Sequence, residues 1–484
     1  MPAQRDKPNI IYILADDMGY GDVSCYDPKF NRVPTPNIDR LAEQGISFTN
    51  AHATSSLCTP SRYSILTGRY AWRTRLQRGV LMEWDEPLIA QGRPTVADLL
   101  KKQGYNTACV GKWHLGLEWR HRNGEPAFDE PFRGGPLDRG FDSYFGVDVP
   151  NFPPYAWIEG DRVLGSTSAY YDRDKELSLN HPGVGVPDWP FNEVLTTITE
   201  KAVASIEARA RQQAPFFLYF ALTTPHEPIA PSKRFKGKSG ISGVADLIME
   251  TDWAVGEVMR ALDEQKISDN TLIIFTTDNG HCPYTDLEPF KRVGHRVSGP
   301  LRGYKADIWE GGHRVPFVAR WPNKISAAST CHELMSLADF MSTCAAITGA
   351  EMPDDAGEDS INALSLLLGS DKSTRESAVF HSGNGLFSIL KDNWKLSLCP
   401  DSGGLWNPEK LPDNLPSVQL HDLSKDIGER TNLQAEYPET VNELTECLEQ
   451  IIDEGRSAPG AGTRQGNDVL VDIWKLKTRT DNKH

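Results

Sequence analysis

Asn9-Ile-Ile-Tyr-Ile-Leu-Ala15, followed directly by Asp16-Asp17, is the stretch that decides the fold. An apolar run without alternation has no polar face to turn to water. It predicts a strand covered on both sides, as in the middle of a parallel sheet. Outward from it, helical periodicity over residues 94–103, 193–211, 244–265 and 333–348 alternates with strand-like runs over 107–110, 215–222, 271–277 and 315–320. That alternation predicts an α/β domain whose largely parallel central sheet is flanked by helices. Ligands of such sheets gather at the carboxyl ends of the strands, where Asp16 and Asp17 stand.

Beyond residue 370 the pattern changes. Short strands are predicted over 377–380, 386–390, 394–398 and 418–423, with a tight turn at Lys391-Asp-Asn393 and a helix over 436–454. This describes a smaller α+β unit with an antiparallel sheet. The expected division is a catalytic domain of residues 1–365 and a C-terminal subdomain of 366–484, with the Asp-, Gly- and Ser-rich stretch 350–375 as linker. Residues 147–190, rich in Pro, Tyr, Trp and Asp, show no periodicity. An insertion loop beside the site and a plain surface loop both remain open.

A chain of 484 residues exceeds the roughly 250–300 at which single cores stop growing, which agrees with two units. The net charge of −15, without a long basic run or an aromatic-rich basic stripe, argues against nucleic acid and anionic membrane surfaces as partners. An anionic substrate would then need a local cluster of cations to overcome the global field. No apolar stretch approaches the roughly 20 residues of a membrane span. The polar start, residues 1–8, does not read as a signal peptide, so the expectation is a cytoplasmic protein or one exported with its leader already removed. The eight cysteines are scattered and form no C-x-x-C pair, which argues against a disulfide framework or a structural zinc site.

Two carboxylates at one strand end repel each other, and a hard divalent cation is the commonest remedy. The run 271–277 ends similarly, in Asp278-Asn279-Gly280. A helix cap for the first pair and a plain Asn-Gly turn for the second stay open. If both converge on one ion, oxygen ligands favour calcium or magnesium over zinc. The third element is Cys58-Thr59-Pro60-Ser61-Arg62. Pro60 suits a first helical turn, which puts Cys58 at a helix N-terminus, where an anion is favoured. The Cys-to-Arg spacing is shorter than in cysteine phosphatases, so Cys58 does not read as a simple thiolate nucleophile.

Cys58-Thr-Pro-Ser-Arg62, with Leu66-Thr-Gly-Arg69 after it, resembles the C-x-P-x-R signature of the type I sulfatases, the formylglycine-dependent, arylsulfatase A-like branch of the alkaline phosphatase superfamily. Further elements resemble that family in order: Gly111-Lys112-Trp113-His114-Leu115-Gly116, Thr224-Pro225-His226, and Leu301-Arg302-Gly303-Tyr304-Lys305 continuing to Glu310-Gly311-Gly312. The tail Leu420-His421-Asp422-Leu423 with Glu429 to Leu433 is similar to the family's C-terminal stretch.

The resemblance implies a sulfuric ester hydrolase. Cys58 would be oxidised to Cα-formylglycine by a formylglycine-generating enzyme. The hydrated aldehyde supplies one hydroxyl to attack sulfur and a second whose collapse expels sulfate. By the same resemblance, Asp16, Asp17, Asp278 and Asn279, with the modified Cys58, hold one divalent cation, calcium ahead of magnesium. Arg62 steadies the diol, Lys112 and Lys305 clamp the sulfate oxygens, His114 is the base for elimination, and His226 binds and protonates the leaving oxygen.

The substrate expected is a sulfated carbohydrate, with 6-O-sulfated N-acetylgalactosamine of chondroitin-type glycans as the leading choice. Aromatic and basic residues that could grip a sugar are Trp72, Arg73, Arg75, Arg78 and Trp84, then Trp119, Arg120 and His121, and His281, Tyr284, His295 and Arg296. Residues 394–404 of the C-terminal unit are candidates to close the pocket. Two other readings stay open: a phosphonate or phosphodiester hydrolase of the same superfamily, and a sulfated-glycan binder if Cys58 is unmodified.

Overall fold

Asn9–Asp16 is buried along its whole length and sits inside a ten-stranded sheet. The computed structural model describes residues 7–174, 180–285, 287–370, 372–412, 414–459 and 466–474. Parts of the polar start (1–6), of the 147–190 stretch (175–179) and of the C-terminal unit (371, 413, 460–465 and 475–484) lie outside the described residues.

Across the sheet the strands run Ser329–Cys331, Ile46–Phe48, Phe317–Arg320, Thr271–Thr277, Asn9–Asp16, Phe216–Pro225, Asn106–Lys112, Ser143–Val147, Ile158–Glu159 and Arg162–Val163. The five from Thr271–Thr277 to Ser143–Val147 are mutually parallel, so their carboxyl ends share one edge. Phe317–Arg320 runs antiparallel to both its neighbours.

The central run explains itself. Ile10, Tyr12 and Leu14 enter one core, with Tyr63, Leu66, Leu100 and Met341. Ile11, Ile13 and Ala15 enter the other, with Ile198, Ile206, Val255 and Leu262. The period of two thus divides one apolar strand between two cores, and neither face can carry a polar side chain. The helices Cys58–Thr67, Val96–Lys102 and Phe340–Thr348 cover the first face, and Pro36–Glu43, Val194–Ala210 and Gly243–Glu264 the second.

One helix is shorter than its periodicity suggested. Within 333–348, Met335–Ser336 pairs in parallel with Ala51–His52, and a 3-10 turn at Leu337–Asp339 precedes the helix Phe340–Thr348. The side chains of Ser336 and Asp339 bond back to Ala338 N and Ser336 N, stopping the helix from extending backwards.

The strands Ser377–His381, Phe387–Lys391, Trp394–Ser397 and Gln419–Asp422 form a separate antiparallel sheet in sequence order. Lys391 pairs with Trp394 across the expected turn, where Asp392 adopts a φ of 54°. The helix Pro438–Asp453 packs on this sheet through Leu444, Leu448, Ile451 and Ile452. Tyr70 and Trp72 join the same core from the other end of the chain.

Candidate active site

The parallel strands deliver the site. Asn9–Asp16 carries Asp16 and Asp17; Thr271–Thr277 carries Asp278 and Asn279; Asn106–Lys112 ends in Lys112, with His114 just beyond; Phe216–Pro225 leads into His226. The helix Cys58–Thr67 is buried on every side, begins at Cys58, and ends at Gly68 in the left-handed conformation. Lys305 arrives from a loop in which Ala306 N donates to Ser56 O at 2.7 Å and Ala306 O accepts Gly383 N at 2.8 Å.

These residues meet. Cys58 Sγ lies 3.8 Å from Asp17 Oδ1. Arg62 donates through Nε to Asp278 Oδ2 at 2.9 Å and through Nη1 to Lys112 O at 3.2 Å, and its Nη2 lies 3.4 Å from Asp16 Oδ1. Lys112 Nζ lies 2.8 Å from Asp16 Oδ2, and Lys305 Nζ lies 2.6 Å from Asp17 Oδ2. His226 Nε2 is 3.8 Å from Asp17 Oδ2. Two site residues take left-handed backbone, Asp17 at φ 68° and His114 at φ 55°. Such conformations cost non-glycine residues of order 1–3 kcal/mol and cluster where function needs an unusual side-chain direction.

The imidazoles have assigned tautomers. His114 Nε2 donates to Leu81 O at 3.0 Å, leaving Nδ1 buried with no hydrogen-bond partner among the described residues. Burial, then Lys112 and Arg62, holds His114 well below its usual pKa, so the ring is neutral and Nδ1 can accept a proton. His226 Nδ1 donates to Glu227 O at 2.8 Å and leaves Nε2 facing the acids. Burial and Lys112 push His226 down to about 4. Burial also drives the Cys58 thiol up, away from the thiolate.

The acids fit a hard divalent cation. Asp16, Asp17, Cys58 and His226 each offer a ligand atom within 4.8 Å of the others. Asn279 Oδ1 is buried with no hydrogen-bond partner among the described residues, while its Nδ2 donates to Asp17 Oδ1 at 2.8 Å. Burial would raise Asp16 and Asp17, but Lys112 for the first and Lys305 for the second hold both below the carboxylate range. Burial carries Asp278 up to about 7 against Arg62, with Asp16 adding to the rise. Three crowded carboxylates and an unpartnered amide oxygen make an oxygen-rich donor set.

The site has a backing. Gly280 N donates to Gly312 O at 2.9 Å, and a Cβ on Gly280 would stand 1.9 Å from Gly311 O, so only glycine fits after Asn279. Glu310, at the head of that Glu-Gly-Gly turn, is paired with Lys395 of the C-terminal sheet at 2.9 Å. His52, Glu310 and His313 also form a metal-like cluster, but Lys395 Nζ lies 2.9 Å from Glu310 and 3.0 Å from His313 and supplies the cation there.

The profile of the sulfatase family matches residues 8–350. The chain belongs to the sulfatase family. An N-acetylgalactosamine-6-O-sulfatase of Bacteroides thetaiotaomicron is 36% identical over 92% of this chain and 93% of its own. Human arylsulfatase A is 33% identical over 92% of this chain and 87% of its own. A solved Bacteroides thetaiotaomicron structure, described within the metabolism of multiple glycosaminoglycans as a 6S-sulf protein, superposes with a TM-score of 0.81 at 34% identity, covering 92% of this chain and 99% of that one. The protein is therefore a sulfatase, an enzyme that hydrolyses sulfate esters, with the α/β fold of that family.

Most of the sugar-gripping candidates have other work in this sulfatase. Trp72 is core. Arg73 is buried and forked onto Asp359 at 2.9 and 2.8 Å, against the end of the C-terminal helix. Arg75 bonds to the carbonyls of Glu86 and Pro87. His281 and His295 both hold Asp22, at 2.7 and 2.9 Å, and Arg296 pairs with Asp27 over the Phe30 ring. Trp84 packs tilted, and Trp119 edge-on, against Phe128. Tyr284 reaches the site through its side chain, its hydroxyl 3.5 Å from Lys305 Nζ, and His281 through its carbonyl, which accepts Lys305 N at 2.9 Å. Of residues 394–404, Trp394 packs on Tyr437, whereas Ser402 O accepts Ile308 N at 2.6 Å, two peptides beyond Ala306. Arg73→Ala is expected to cost about 3 kcal/mol, as for an unpaired buried charge. A lower urea midpoint checks it, with small and large substrates slowed alike.

Sequence reasoning missed Asp148, whose Oδ1 accepts His114 N at 3.1 Å and which burial raises to about 6. The signal was available: Asp148 follows the strand Ser143–Val147 as Asp16 and Asp278 end theirs. Its position also places the start of the 147–190 segment beside the site.

Proposed function

We propose that this sulfatase cleaves the sulfate ester of a sulfated sugar, with 6-O-sulfated N-acetylgalactosamine as leading substrate, through formylglycine made from Cys58. The observation that carries it is Cys58 at a buried helix start, 3.8 Å from Asp17 in the cluster where Lys112, Lys305 and His226 meet the acids. The hydrated aldehyde would supply the nucleophile, and a formylglycine-generating enzyme is the partner required during maturation. The division into a catalytic domain of 1–365 and a subdomain of 366–484 belongs to the same proposal.

Asp16, Asp17, Asp278 and Asn279 would hold one calcium or magnesium ion, which when bound supplies Lewis acidity toward a sulfate oxygen. Lys112 and Lys305, held beside Asp16 and Asp17, would bind the sulfate oxygens and supply the local positive field that an acidic protein needs. Arg62 holds the nucleophile's surroundings through Asp278 and the Lys112 carbonyl. His114 Nδ1 takes a proton from position 58. His226 Nε2 gives one to the leaving oxygen; an incoming sulfate counters the field of Lys112 and favours loading that proton. Trp406, exposed and edge-on to Tyr284 at 4.8 Å, offers a sugar-sized apolar face near Lys305, which supports the carbohydrate reading.

A panel of sulfated mono- and disaccharides tests the substrate. Clear preference for an aryl sulfate over every sugar would reject it. Elemental analysis tests the metal, with one calcium or magnesium per chain expected. Two zinc ions per chain would contradict the ligand assignment.

A further inference from the structure

We propose that Glu83 and His181 form a hydroxyl-reading pair at the mouth of the sulfate site, making them specificity residues of this enzyme. The inference rests on the sulfated-sugar reading and gives it an address on the protein.

Two segments far apart in sequence are brought together here. Glu83 lies in a stretch fastened to the reacting centre, because Leu81 N donates to Thr59 Oγ1 at 3.2 Å and Leu81 O accepts His114 Nε2 at 3.0 Å. His181 comes from the long 147–190 segment. Its own backbone is held at both ends: His181 N donates to Asn151 O at 2.8 Å, and His181 O accepts the Tyr155 hydroxyl at 2.5 Å. The same hydroxyl lies 2.9 Å from Asn151 O, so one tyrosine ties both ends of the excursion.

The side chains then meet, His181 Nδ1 on Glu83 Oε1. The His181 ring packs 4.5 Å from Phe152, and Phe152 lies 6.1 Å from the His114 ring. The pair is therefore separated from His114 by one aromatic ring, Phe152. Its side chains are 28% and 20% exposed, unlike the sealed acids and lysines behind them. A brace needs no such opening.

The chemistry selects the ligand. With Nδ1 engaged, His181 Nε2 and the second Glu83 oxygen have no other hydrogen bond among the described residues. With Nδ1 donating to Glu83, the Nε2 of a neutral His181 and the second Glu83 oxygen are both acceptors, and two adjacent acceptors match the O–H donors of sugar hydroxyls. A carboxylate at the mouth of an anion site also repels substrate, a cost that neighbouring hydroxyls offset and a bare aryl ring does not. The pair therefore favours a neutral sugar ring, and disfavours a second sulfate or a carboxylate placed against it.

The test compares Glu83→Gln and His181→Ala with the parent on two substrates, the sulfated sugar that the parent hydrolyses fastest and 4-nitrophenyl sulfate. The sugar's kcat/KM should fall about 10- to 100-fold, the scale of a lost hydrogen bond to a charged group. The aryl sulfate should lose much less, and thermal midpoints should stay close to the parent's. Equal losses on both substrates, or none on either, overturn the pair's role. A parent that hydrolyses no sulfated sugar but turns over the aryl ester rejects the carbohydrate reading itself, and the pair falls with it.

Discussion

Cys58→Ala is expected to fold like the parent and to lose turnover by on the order of 10⁴-fold or more, the scale seen when a nucleophile is deleted from a catalytic unit. The fold should tolerate it, because the change removes one sulfur atom from a residue whose neighbours are held by other bonds. Arg62 keeps Asp278 and the Lys112 carbonyl, and Ser61 Oγ keeps Ser55 O at 2.9 Å. Lys112, Lys305 and both histidines remain to bind the anion, so affinity for sulfate should persist while chemistry stops. Cys58→Ser separates the steps further. A serine hydroxyl can accept the sulfuryl group once, but it has no second hydroxyl to expel it. A burst of one equivalent without steady turnover is the expected trace, read in a stopped-flow assay with an aryl sulfate. Steady turnover by the alanine variant near the parent's rate would remove Cys58 from the reaction.

Lys395→Met is expected to cost about 3–5 kcal/mol of stability, the range for breaking a buried ion cluster by removing one partner. Lys395 is fully buried, 2.9 Å from both Glu310 and Glu429. Burial alone would raise the Glu310 carboxyl; Lys395, with His52, His313 and Arg314, holds it well below its usual range. Burial lifts Glu429 to about 7 against the same lysine. Without the ammonium, two sealed carboxyls face each other. The effect reaches the site, since Glu310 heads the turn whose Gly312 O receives Gly280 N, next to Asn279. Urea denaturation measures the loss. Adding Glu310→Gln should recover part of it, because the two residues share one cluster. A single-variant loss below about 1 kcal/mol would show that the cluster relaxes without its lysine.

The core of the fold and the meeting of the candidate site residues were legible because both rest on local patterns. Asn9–Asp16 announces a doubly covered strand by having no polar face. Asp16-Asp17 and Asp278-Asn279 announce convergence by standing at the ends of two such strands. The short motifs around Cys58, Lys112, His226 and Lys305 hold several groups each within a few residues, so order along the chain maps onto the site. Specificity was not legible in this way. Arg73, His281 and His295 have the chemistry of ligand-binding residues, but Asp359 and Asp22 engage them, and neither acid is near its partner in sequence. Glu83 and His181 were invisible for the converse reason: neither is distinctive alone, and they meet only because Asn151 and Tyr155 hold the His181 backbone. The 333–348 helix was overextended because the apolar pattern persists through Met335, Leu337 and Ala338, where a strand bridge and a capped 3-10 turn bury the same side chains.

This sulfatase is proposed to work through a modified Cys58. Mass spectrometry of the tryptic peptide 41–62, from active enzyme made in a host that carries the modifying enzyme, tests it most directly. The expected result is an aldehyde in place of the Cys58 thiol, in a fraction that tracks specific activity across preparations. A fully active preparation in which every Cys58 is an intact thiol would contradict it.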